Sequence, residues 1–206
     1  MIISRISEKI FANDPADVKA ANALQDQIVV KQSAPGTFKI PEWDEKSLGT
    51  VRDAINVLAA TKTDVSGFFG NINTINPLEH LLGTAYGWGG NPKEAAMYVN
   101  AVPPKNDGKT PYTLTAKDVP VDGFWSVTVY NAKGFMEKNS QNAYSFNNVT
   151  AKPNDDGSIT IHFGGDANQV NYLPITDGWN YAVRLYQPKK ELLDGTWTFP
   201  AAEPGK

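Results

Sequence analysis

Close to Gly87 the apolar residues change their spacing, and that change restricts the fold more than any other feature of the chain. Up to Tyr86 the rhythm is helical. Ile3, Ile6, Ile10 and Phe11 share one stripe, Val18, Ala21, Leu24 and Ile28 the next, and Val51, Ala54, Ile55 and Leu58 stand at i, i+3, i+4 and i+7. Asn13-Asp14-Pro15 divides the first two stripes, because proline suits a first helical turn. Ala34-Pro35-Gly36 ends the second, Ile40 to Asp44 reads as an extended linker, and a fourth helix is expected from Asn76 to Tyr86.

After Asn91 the period becomes two. Tyr112, Leu114 and Ala116 alternate with threonines, and Trp125, Val127 and Val129 alternate with Ser126 and Thr128. Ile159, Ile161 and Phe163 alternate with Thr160 and His162, and Tyr181, Val183 and Leu185 with Ala182, Arg184 and Tyr186. One apolar and one more polar face per run is the mark of an antiparallel sheet. Met97 to Val102 and Ala143 to Phe146 are candidates for further strands. Turn signals lie between the runs at Asn106-Asp107-Gly108, Asn131 to Gly134, Asn154 to Gly157 and Thr176-Asp177-Gly178. The expected fold is α+β: a helical N-terminal part, residues 1–90, packed on an antiparallel β-sandwich, jelly-roll-like, over residues 91–206, the two forming one compact unit.

Composition narrows function mainly by exclusion. The net charge is −3, so no field favours nucleic acid. There is no cysteine, which excludes disulfides, thiolate metal ligands and a cysteine nucleophile. No apolar run approaches the ~20 residues that cross a bilayer. Met1 to Ile6 carries a charge too early for a signal-peptide core. The expected location is periplasmic or extracellular if an export segment precedes this sequence, and otherwise cytoplasmic.

The motifs of catalysis are thin. His80 and His162 fall on different elements and form no metal-ligand pair, so no metal or cofactor is expected. No G-x-S-x-G elbow exists, and Ser126 sits mid-strand. Gly108-Lys109-Thr110 resembles the end of a phosphate loop but precedes a strand. Asp118, Asp122, Asp166, Asp177 and Asp194 lie near strand ends, where two of them could work as acid and base, although turns favour aspartate for backbone reasons alone. The aromatic set is fuller: Tyr86, Trp88, Trp125, Tyr130, Tyr144, Tyr172, Trp179, Tyr181, Tyr186 and Trp197. Such rings either fill a core or stack on sugars and apolar ligands.

Five blocks in the β half resemble a largely bacterial family, the domain of unknown function 1214. They are Pro120 to Tyr130, with its F-W-S-x-T-x-Y core; Asn154 to Ile161; Asn171-Tyr172-Leu173-Pro174; Arg184-Leu185-Tyr186-Gln187-Pro188-Lys189; and Leu193 to Trp197. The resemblance covers roughly the last 110 residues, a reach that the sheet signals share. It implies the sandwich and no established activity. Members often follow a partner domain, the domain of unknown function 1254, for which this sequence has no room, and are frequently exported. Three departures stand out. Ala143-Tyr144 lacks the arginine that usually precedes the tyrosine, Tyr172 replaces a tryptophan, and the loop around Pro103 to Thr110 is shortened.

Arg184 alternates with Val183 and Leu185 and is expected on the opposite face from theirs. It has two readings: a clamp tying the C-terminal tail to the sheet, by stacking or through Asp194, or a recognition group for a carboxylate or sugar hydroxyls. The expected ligand-binding set is Arg184, Tyr186, Tyr130, Tyr144, Trp197 and Asp194. The favoured function is a binding or interaction module with an aromatic-lined surface for a glycan or small carboxylate. The alternative is a hydrolase or lyase acting on a glycan or ester through Asp and Tyr side chains. Homo-oligomerisation is left open.

Overall fold

The structure is a computed structural model that describes residues 15–62, 65–87 and 89–205. The helix expected over Ile3 to Phe11, and Trp88, lie outside the described residues. The chain divides into two compact units, one ending at Asp44 and the other beginning at Glu45.

The first unit contains α1 (Pro15–Gln25), which opens on a proline and carries Asp17 in its first turn, where a negative charge suits the helix dipole. Of the stripe Val18, Ala21, Leu24 and Ile28, only Ala21 is buried, and Ile28 lies beyond the last turn.

The second unit begins with two helices, α2 (Glu45–Ala59) and α3 (Pro77–Gly87). Asn76 caps α3. Its Oδ1 accepts the amides of Leu78 at 2.9 Å and Glu79 at 3.4 Å, and Pro77 follows at the first helical position. Ala59, Phe68 and Leu82 form a small core here, flanked by Ile55 and Phe69. Gly83 admits the Phe68 ring, since a Cβ at residue 83 would lie 2.5 Å from the Phe68 Cβ. Leu48, Val51 and Leu58 of α2 stay about half exposed and Ala54 is exposed, so most of its apolar stripe is uncovered.

Eight strands follow: β1 (Ala96–Ala101), β2 (Tyr112–Ala116), β3 (Trp125–Tyr130), β4 (Ser145–Asn147), β5 (Ile159–Phe163), β6 (Tyr172–Leu173), β7 (Asn180–Tyr186) and β8 (Glu203–Pro204), with a short α4 (Lys190–Leu193) before β8. One sheet has the order β1-β7-β3-β4 and the other β6-β5-β2-β8. All pairs are antiparallel except β5–β6. The inward residues of both sheets make one core. Leu114, Val127, Ile161, Phe163, Val183 and Leu185 are at most 1% exposed, as is Trp179, whose ring lies 5.1 Å from Phe163. The architecture is thus mixed α+β, with four helices and two largely antiparallel sheets among the described residues. No helix among them is long and apolar enough to cross a membrane.

The turns behave as their residues require. Gly134, Gly157 and Gly178 all take positive φ, where a side chain is strained. The tail is tied down by backbone bonds. Gly205 N donates to Pro111 O, and Ala202 N donates to the Tyr181 hydroxyl at 3.0 Å. Trp197 and Phe199 pack edge to face, and Phe199 leans on Trp125 at 5.4 Å. The tail is therefore held by Tyr181 and these rings. The hydrogen bonds and ring contact of Arg184 go to Thr128 and Tyr130 and not to the tail, which corrects the clamp reading, because Arg184 stands on the other side of β7.

Candidate functional site around Arg184

The geometry of this site follows from alternation. On β7, Tyr181, Val183 and Leu185 face the core, so Asn180, Ala182, Arg184 and Tyr186 stand on the outer face. Register adds the neighbours. Arg184 faces Tyr98 of β1 on one side and Ser126 of β3 on the other. Thr128 and Tyr130 continue the same face along β3, and Ser145 of β4 lies opposite Thr128. The outer half of the F-W-S-x-T-x-Y block and the Arg and Tyr of R-L-Y thus meet on one surface.

Phe124 joins them through backbone chemistry. Gly123 N donates to Tyr186 O at 3.2 Å, and Tyr186 N donates to Phe124 O at 2.9 Å. A side chain at residue 123 would clash, since a Cβ there lies 2.8 Å from the Tyr186 carbonyl oxygen. This approach stacks the Phe124 ring on Tyr186 at 4.5 Å and 23°.

The guanidinium is fixed by two hydrogen bonds. Nη1 donates to Thr128 Oγ1 at 3.2 Å and Nη2 donates to the Tyr130 hydroxyl at 2.7 Å. Its carbon is 5.9 Å from the centre of the Tyr130 ring, so the hydroxyl, not the ring face, is the main partner. Thr128 passes the bond on to Ser145 Oγ at 3.0 Å, and Ser145 donates to Val127 O at 2.9 Å. Among the described residues Arg184 has no carboxylate partner; the ion pairs there are Lys62–Glu79, Lys105–Asp107, Lys117–Asp156 and Lys189–Asp122. Burial pushes the Tyr186 hydroxyl above its ordinary range, as do nearby Tyr98 and Tyr130, and Arg184 partly offsets them. That phenol stays protonated at neutral pH and is a donor, not a base.

Of the six expected site residues, Arg184, Tyr130 and Tyr186 come together. Tyr144 borders a water-sized cavity of about 10 Å³ that Tyr130 also lines. Trp197 packs against the inner core. Asp194 accepts the amide and hydroxyl of Thr196, bonds that hold its carboxyl below the usual range. Tyr98, Phe124 and Thr128 were missed by the sequence reading. The signal that could have found two of them is the period-two set Phe124, Ser126, Thr128 and Tyr130 inside one block.

Of the other aspartates, Asp122 pairs with Lys189 at 3.2 Å, and several are used in turns. Asp107, Asp156 and Asp166 each accept bonds from residues two or three positions on, as Asp194 does, the common use of aspartate in turns. His162 Nδ1 lies 2.7 Å from Val170 O and His80 Nδ1 lies 3.0 Å from Phe68 O. Among the described residues no three His, Asp or Glu side chains gather as a metal site would need.

Comparison with known proteins adds family and fold. No curated protein matches the chain. The VPA0106 protein from Vibrio parahaemolyticus has a similar structure, with a TM-score of 0.63 at 20% identity, over 94% of this chain and 66% of that one. This chain therefore spans just under two thirds of that protein's length. An uncharacterized protein from Burkholderia cenocepacia matches with a TM-score of 0.43 at 19% identity, over 59% of this chain and 32% of that one. Residues 96–190, from β1 through β7, match the family model described as a protein of unknown function, DUF1214.

Proposed function

We propose that the chain is a binding module, and that its ligand surface is the outer face of the β1-β7-β3-β4 sheet around Arg184. The ligand class is a glycan or a small carboxylate. The observation that carries this reading is a half-buried arginine fixed by two hydroxyls with no acidic partner among the described residues. A structural arginine on a sheet is ordinarily matched to a carboxylate, which uses its planar fork in full. The stacked Phe124–Tyr186 pair beside it supplies a flat, partly exposed wall on which a ring can rest.

The hydrolase or lyase alternative has less support. It needs a free carboxylate and a basic phenol. Of its five aspartates, Asp166 and Asp194 are engaged in turns and Asp122 pairs with Lys189, which leaves Asp118 and Asp177, and the Tyr186 hydroxyl is raised and so a poor base. We take residues 91–206 as the functional part and residues 1–90 as its helical accompaniment. A sandwich is supported by the core that the two sheets share, and the jelly-roll variant by strand number alone, against the parallel β5–β6 pair.

The test is thermal shift of the full chain against a panel of glycans, short carboxylic acids and divalent metals. A saturable rise in Tm that is lost in Arg184→Gln and kept in the surface control Leu48→Ala supports the reading. Saturable binding that Arg184→Gln leaves unchanged places the ligand elsewhere and contradicts it.

A further inference from the structure

The surface around Arg184 has a donor excess that can be counted. A guanidinium carries five N–H groups, and Arg184 uses two on Thr128 and Tyr130. The Tyr130 oxygen receives one of these bonds, which leaves its own hydrogen to give. Tyr98 is in the same condition: its hydroxyl oxygen accepts Asn91 Nδ2 at 2.7 Å. Thr128 and Ser145 are not free to answer these donors with their own hydrogens. They form a one-way chain from Arg184 to the carbonyl of Val127, which sets the direction in which the guanidinium points. The residues of this face on β1, β7, β3 and β4 include no aspartate or glutamate: they are Ala96, Tyr98, Asn100, Asn180, Ala182, Arg184, Tyr186, Ser126, Thr128, Tyr130, Ser145 and Asn147.

We infer that this face recognises a ring-borne carboxylate, the carboxylate lying on the unused edge of Arg184 with the Tyr98 and Tyr130 hydroxyls donating to it, and the ring lying against Phe124 and Tyr186. The inference rests on the binding reading above and names its ligand class. A carboxylate fits because it accepts only, carries one negative charge against one guanidinium, and is planar like the fork it meets. A neutral sugar brings a donor hydrogen with every hydroxyl and no charge to meet the guanidinium. A phosphate dianion brings a second charge for which the face holds no second cation. The chemistry is shared by a uronic acid unit of a glycan and by an aryl carboxylate, and the two are separated by experiment.

The experiment is a calorimetric titration of the full chain with two matched pairs, glucuronate with glucose and benzoate with benzyl alcohol, and with inorganic phosphate. The expected result is binding of the acid of at least one pair, with its neutral twin at least about tenfold weaker. Arg184→Gln weakens the acid by about tenfold or more, and Tyr98→Phe, on an edge strand and outside the Arg184 bonds, by several fold. Glucuronate alone assigns the uronic source, and benzoate alone the aryl source. Raising salt weakens the acid. If a neutral twin binds as well as its acid, or phosphate binds better, the carboxylate inference fails while the binding surface stands. If no probe of the panel or of these pairs binds, both fall. Circular dichroism of each variant confirms that it is folded, and Tyr98→Phe carries the test should Arg184→Gln not fold.

Discussion

The two faces of the β1-β7-β3-β4 sheet are written by the same alternation and end in opposite conditions. Inward, Val127, Val183 and Leu185 are sealed at 0–1% exposure against the second sheet. Outward, Arg184, Tyr98 and Tyr130 keep donors that nothing described accepts. A core face ends when its surface is covered. A polar face stays open to water, and the spare donors of this one are met there. The difference is the one on which the proposed carboxylate surface rests.

The largest effect that sharpens this contrast is on the inner face. Leu185→Ala removes a fully buried side chain and costs about 2–5 kcal/mol in denaturant unfolding. Its neighbour Arg184→Gln removes two part-buried hydrogen bonds and leaves the buried Thr128 hydroxyl short of one donor, at a cost of about 1–2 kcal/mol. If the two costs are equal, Arg184 is a structural residue and the contrast breaks.

Next comes the tail. Tyr181→Phe deletes the hydroxyl that accepts Ala202 N and costs about 1 kcal/mol, with faster amide exchange at Ala202. The pH dependence is smaller in reach and probes both faces. Tyr181 lies inward and Tyr186 outward, and burial raises both hydroxyls above 10.0 in the folded chain. A raised group contributes stability below the unfolded value and loses it as pH rises through the folded one. Unfolding free energy is therefore flat from neutral pH to about pH 10 and falls above it. In a spectrophotometric titration Arg184→Gln moves Tyr186 further up, since its opposing charge is gone, and leaves Tyr181 in place. The smallest effect is Leu48→Ala on α2, within about 0.5 kcal/mol, because that side chain is already half exposed.

The sequence was legible where physics is local. Period two gave β2, β3, β5 and β7 and the side of β7 on which Arg184 stands, whereas β6 and β8, two residues each, are too short to show it. Asn76-Pro77 marked the start of α3 through its cap. What covers an element is not local. The stripe of α2 announces a helix, yet Leu48, Val51 and Leu58 find little cover, and an open groove of about 290 Å³ between α2 and α3 is lined by Leu48, Val51 and Ile55. Hydrogen-bond partners are equally remote. Arg184 reaches Tyr130 across 54 positions, and the tail is pinned by Tyr181 instead of Arg184. Asp194 and Trp197 were expected beside Arg184 as a carboxylate to bridge to and a ring to stack on, but Asp194 is taken up by its own turn and Trp197 by the core. Tyr98 was out of reach because only the register of β1 on β7 brings it beside Arg184.

The claim that the outer face is an anion-recognition surface is tested most directly by nuclear magnetic resonance of the arginine side chain itself. Nitrogen-labelled protein is titrated with benzoate and with glucuronate, and the Arg184 Nε–H resonance is followed. The account predicts that it moves and saturates with one of them, together with the amides of β1 and β3, while those of α2 and α3 stay still. Movement confined to α2 and α3, with a stationary Arg184 resonance, contradicts it.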